Sequence, residues 1–204
     1  MHLTYTSLTG TSDEIMIKEC MLMIRLNIYT VTVVLALCCA MSSTAQEQAA
    51  ESPVQDKSIC ETARHFSDFD FWVGEWNVYS NDGKKTFQGT NSITRHHKNC
   101  LLMENWTSAQ GGDGSSMNYY DPVEDQWRQL WVAGGYSIDY SGGLDDGGSM
   151  VMNGKINYYK NGQSFKFRGT WTPGEDGNVR QLFEQFDPKK EKWAVWFDGL
   201  YVRR

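Results

Sequence analysis

Clustered basic charge is missing from this 204-residue sequence, and proline is scarce, with only four. Lys and Arg number 19 against 25 Asp and Glu, giving a net charge of -6. A nucleic-acid partner is excluded on that balance, because counterion release needs grouped cations. No apolar run reaches the length of a bilayer. The longest, Ile28 to Met41, is too short to cross a ~30 Å hydrocarbon core, so no stable span is expected in the mature chain. Gly111-Gly112-Asp113-Gly114 and Asp145-Asp146-Gly147-Gly148 lack the Lys-Ser/Thr of a phosphate loop and the spaced acids of a calcium loop, and read as turns. No Gly-x-Ser-x-Gly elbow occurs either.

The first part of the chain reads as a targeting segment. Residues 23–45 open on Met23-Ile24-Arg25, run through the apolar stretch, and end in Ser42-Ser43-Thr44-Ala45. That is the pattern of a signal peptide cleaved after Ala45, which predicts a periplasmic or secreted protein. Residues 1–22 carry Asp13, Glu14 and Glu19, the wrong charge for such a start, so translation is expected to begin at Met21 or Met23. Residues 46–57 are polar and aperiodic and predict a flexible leader, which leaves 58–204 as one domain.

Cleavage alters the cysteine count. Of five cysteines, Cys20, Cys38 and Cys39 leave with the leader, and Cys60 and Cys100 remain. In an oxidising compartment these two are expected to form a disulfide.

The full sequence holds eight Trp, ten Tyr, nine Phe and nineteen Gly, and all but Tyr5, Tyr29 and Gly10 lie in the remaining chain, giving it a large aromatic mass and frequent turns. Ser58 to Phe71 is the one helical candidate, with a break near Ser67-Asp68. Beyond it the residues alternate with period two between turn signals such as Asn81-Asp82-Gly83, Asn161-Gly162 and Asp187-Pro188. Ten or eleven strand segments result, with Met150 and Ile156 in separate ones. No helix of crossover length intervenes, so neighbours pair antiparallel. The expected fold is all-β, an up-and-down antiparallel barrel of about 8–10 strands with a short N-terminal helix. Closure removes the edges that a meander would expose; a two-sheet sandwich is the competitor. Two segments echo each other: Asp121-Pro122 precedes Trp127 and Trp131 as Asp187-Pro188 precedes Trp193 and Phe197. In each, the two aromatics are expected to share a face.

Phe69-Asp70-Phe71-Trp72-Val73-Gly74-Glu75-Trp76 resembles the opening of calycin, or lipocalin-like, barrels. Together with Leu102-Met103-Glu104-Asn105-Trp106, Arg168-Gly169-Thr170-Trp171 and Phe197-Asp198-Gly199-Leu200-Tyr201, it resembles a bacterial exported family of uncharacterised function. The resemblance covers about residues 60–204. It implies a barrel whose end is plugged by Trp76, with Arg180 or Arg203 set against that ring, and it brings no catalytic residues.

The site expected from these residues is an aromatic cavity for a small apolar or amphipathic ligand, formed by Trp76, Glu104, Trp106, Trp127, Gln129 and Trp131. Glu104 shares a strand face with Leu102 and Trp106, and Gln129 with its two flanking tryptophans, so both point inward; Arg168 points outward with Lys166 and Thr170. The alternative is a barrel enzyme, an isomerase or hydrolase, with Glu104 as general base and Gln129 as polarising donor. For a metal or haem the weak candidate is His97, but adjacent His96 and His97 face opposite ways on a strand. No cofactor is expected, and the chain is expected to be a monomer or a weak homo-oligomer. A third reading is a structural module of the cell envelope.

Overall fold

The computed structural model describes residues 56–204; the expected extension, signal peptide and most of the leader lie outside them. Ten strands form one closed barrel. They are β1 (Gly74–Ser80), β2 (Phe87–His96), β3 (Leu101–Ser108), β4 (Asp113–Asp121), β5 (Gln126–Ala133), β6 (Tyr136–Leu144), β7 (Met150–Tyr158), β8 (Ser164–Pro173), β9 (Val179–Asp187) and β10 (Lys192–Arg203). Each pairs antiparallel with its sequence neighbours, and β1 pairs with β10 to close the ring. This is the up-and-down barrel that the alternating pattern predicts. The separate segments expected at Met150 and Ile156 are a single strand, β7. No helix among the described residues is long and apolar enough to cross a membrane.

The helical candidate Ser58 to Phe71 is three one-turn pieces, broken at Ser67-Asp68 as expected and also at Ala63. Helix α1 (Ile59–Thr62) is started by a capping box, in which Ser58 accepts from the Cys60 amide and Glu61 Oε2 accepts from the Ser58 amide. It stops at Ala63, which is extended at φ -84° and ψ 131°. Two 3-10 turns follow, Arg64–Ser67 and Asp70–Trp72. This segment turns repeatedly because its apolar residues must reach down into the barrel end. Phe69 stacks on Trp72 at 4.8 Å and meets Trp171 edge-on at 5.2 Å and Trp127 at 5.7 Å. Cys60 and Cys100 form the expected disulfide, tying α1 to the turn before β3.

Arg203, and not Arg180, covers the ring of Trp76; Arg180 grips the Asp198 carboxylate through two nitrogens. Arg168 lies on the outer wall as expected, paired with Glu184 at 2.6 Å and set over Trp193.

The echoed Asp-Pro segments build the same reversal. Asp121 Oδ1 accepts from the amides of Val123 and Glu124, and Asp187 Oδ1 from those of Lys189 and Lys190. Each turn closes through a left-handed residue, Asp125 at φ 51° and Glu191 at φ 48°. The strands that follow differ, however. In β10 the register shifts between Val195 and Phe197, a bulge that inserts Trp196. Trp193 therefore lies outside beneath Arg168, while Phe197 turns inward, so the expected shared face is broken there.

Candidate functional site

The interior divides into two zones. At the end where β1 begins and β10 finishes, Phe69, Trp72, Trp76, Trp127 and Trp171 fill the barrel and are buried. Their packing leaves little room for a ligand, and two of the indoles are held by the plug itself. Trp76 Nε1 donates to the Trp72 carbonyl oxygen at 2.9 Å, and Trp127 Nε1 to that of His65 at 3.1 Å.

Toward the other end the barrel holds a cavity of about 210 Å³. Its walls carry Trp106, Trp131, Tyr136, Phe183, Trp196 and Phe197, and Glu104, Gln181 and Tyr201 also border it. Trp196 and Phe197 are neighbours in sequence, and the β10 bulge brings both to the same cavity. The eight tryptophans thus sort by place. Trp72, Trp76, Trp127 and Trp171 are core, Trp106, Trp131 and Trp196 line the cavity, and Trp193 sits outside.

A belt of hydrogen bonds crosses the barrel at the cavity floor, and from Tyr140 to Glu104 its donors run one way. The Tyr140 hydroxyl donates to Gln129 Oε1, and Gln129 Nε2 donates to Asn118 Oδ1. Asn118 Nδ2 then donates to Ser116 Oγ at 2.8 Å, and Ser116 Oγ to Glu104 Oε2 at 2.6 Å. From the other side, Asn91 Nδ2 donates to Glu104 Oε1 at 2.7 Å and approaches the Tyr201 hydroxyl at 3.2 Å. Tyr201 in turn donates to Gln181 Oε1 at 2.5 Å. These residues belong to β6, β5, β4, β3, β2, β10 and β9, so one polar layer links seven of the ten strands.

Glu104 is 3 % exposed. Burial pushes its carboxyl from 4.5 up to about 7, against the opposing hydrogen bonds of Ser116 and Asn91. Tyr140 and Tyr201 are pushed well above the usual phenol range, first by burial and then by the Glu104 charge. Both phenols therefore stay protonated, as their donor roles require. Burial also raises Tyr136, and the nearby Trp131 indole offsets part of that rise. The Trp131 N–H makes no hydrogen bond of good geometry.

Of the residues expected at the site, Glu104, Trp106 and Trp131 border the cavity together. Gln129 points inward but lies in the belt, its amide engaged at both ends by Tyr140 and Asn118. Trp76 and Trp127 lie in the plug. His97 is exposed in the turn after β2 at φ 50°, and His96 bonds Thr94. No group of three metal-binding side chains occurs among the described residues.

The sequence reading missed Tyr136, Gln181, Phe183, Trp196, Phe197 and Tyr201. Alternation from Val179 through Gln181 to Phe183 carries a signal for two of them. Nothing in the sequence marks the bulge that admits Trp196. Neither a protein-family model nor a curated protein matches the chain.

Proposed function

We propose that this protein is an exported barrel that binds a small amphipathic molecule, with the apolar part of the ligand among Trp106, Trp131 and Trp196 and its polar end at Glu104. One observation carries the reading: a cavity of about 210 Å³ walled by aromatic rings and floored by one buried carboxyl. Simple cores are filled to the packing density of organic crystals, whereas ligand sites are apolar hollows with a few placed polar groups. The calycin-like resemblance agrees with it, as does the closed ten-strand ring. Export is supported by the Cys60–Cys100 bridge and by the signal-peptide pattern ending at Ala45.

Native mass spectrometry of protein isolated from its own cells tests the reading. A retained small molecule is expected, and its loss is expected in Trp131→Ala with the fold intact. An empty chain that also takes up no offered amphiphile would leave only a structural barrel.

A second reading, catalysis, is favoured by the elevated carboxyl of Glu104, since a general base works best with a pKa near the operating pH. The donor expected to assist it, Gln129, is occupied within the belt. A turnover that vanished in Glu104→Gln would raise this reading above simple binding.

A further inference from the structure

We propose that the cavity selects an organic cation, a ligand whose ammonium head seats against Glu104 and whose apolar body lies among Trp106, Trp131 and Trp196. This deepens the binding reading above and rests on it.

The first argument is a charge left without a partner. Among the described residues, Glu104 is the only charged one that borders the cavity, and no Lys or Arg does so. Its two protein partners, Asn91 and Ser116, are neutral. The groups facing it from the other strands are neutral as well: Gln181 from β9, Tyr201 from β10, and Tyr136 and Tyr140 from β6. Buried carboxylates are ordinarily matched by a cation, because burying one unpaired costs several kcal/mol. Without a cation Glu104 avoids that cost by holding its proton; when it ionises, a counter-charge comes only from outside the cavity's own residues.

The second argument is capacity. A carboxylate offers about four acceptor positions; Asn91 and Ser116 use two of them on Glu104, a residue that borders the cavity. An ammonium head brings donors and charge together.

Third, the walls have the matching sign. Aromatic faces are negative and attract cations, most strongly when both are out of water. An anion would be repelled by Glu104 and by any ring that presents its face, and a neutral body would gain only its area. The same aromatic set therefore discriminates among head groups.

Three ligands that share a phenyl body separate the possibilities by titration calorimetry at pH 8. We expect 2-phenylethylamine to bind tighter than 2-phenylethanol by about tenfold or more, with 3-phenylpropionate weakest. In Glu104→Gln the preference for the amine is expected to disappear while the alcohol still binds. Alcohol binding as tightly as amine in the unmodified protein would overturn cation selection and leave the binding reading standing. Tightest binding by the carboxylate would overturn it too. If none of the three binds, cavity selection falls together with the reading beneath it.

A second measurement needs no variant. Phenyltrimethylammonium carries its charge at every pH, so its affinity is expected to rise as Glu104 ionises around pH 7 and to level off above. An affinity unchanged across that range would overturn the proposal.

Discussion

The guanidinium carbon of Arg203 lies 4.3 Å from the centre of the Trp76 ring, and Nη1 of the same side chain donates to the Val73 carbonyl oxygen at 3.2 Å. Between them runs Gly74 at φ +145°, where an added Cβ would stand 2.5 Å from Nη1. Glycine, indole and guanidinium thus form one unit at the plugged end. Gly74→Ala is expected to cost about 1–3 kcal/mol through backbone strain and displacement of the arginine. Arg203→Ala, at an exposed site, is expected to cost about 1 kcal/mol. In the double variant the losses should fall short of additive, since the clash is gone. Urea unfolding midpoints check all three.

Glu104 makes the barrel less stable as the solution becomes more alkaline. Its carboxyl, raised from 4.5 to about 7, keeps a proton in the folded state that the unfolded chain has already released. Stability is therefore full below about pH 4.5, falls as pH rises toward about 7 and then levels off, with roughly 3 kcal/mol lost across the window. Glu104→Gln should flatten that part of the profile. Melting temperatures of both proteins from pH 4 to 9 would expose an error as two parallel curves.

Asn118 is the hinge of the belt. It accepts from Gln129 and donates to Ser116 and to the Leu102 carbonyl oxygen. Asn118→Ala leaves these groups buried without partners and is expected to cost about 3 kcal/mol. Ser116 should then support the Glu104 carboxylate less well, moving the pH window upward. A stability loss with no movement of the window would mean that the belt does not act on Glu104.

Removing the Cys60–Cys100 bridge is expected to lower stability by up to about 4 kcal/mol, because the loop it closes spans 40 positions. A Cys60→Ser, Cys100→Ser variant should keep the far-ultraviolet signature of the barrel and lose melting temperature. An unchanged melting temperature would mean that the plug is held by Phe69 and Trp72 packing alone.

Period-two alternation made the strands, their antiparallel pairing and the inward direction of Glu104 and Gln129 legible, because a strand face is fixed by parity alone. Parity also separated Arg168 from the interior. It could not tell which inward residues fill the plug and which leave a hollow. Trp127 and Trp131 share a face on β5, yet one is sealed by His65 and the other borders the cavity. That difference depends on how deep the 3-10 turns carry Phe69 and Trp72, which is a long-range packing outcome. Parity failed at Trp193 and Phe197, where one inserted residue reverses every side chain beyond it.

Closure through the β1–β10 pair also orders the events of synthesis. Trp76 finds its partner Arg203 only after every other strand has been made, and until then β1 and β9 each present an unpaired edge to any chain nearby. Pairings of such sequence separation are slow to form, so the closed cavity comes into being only when β10 joins β1.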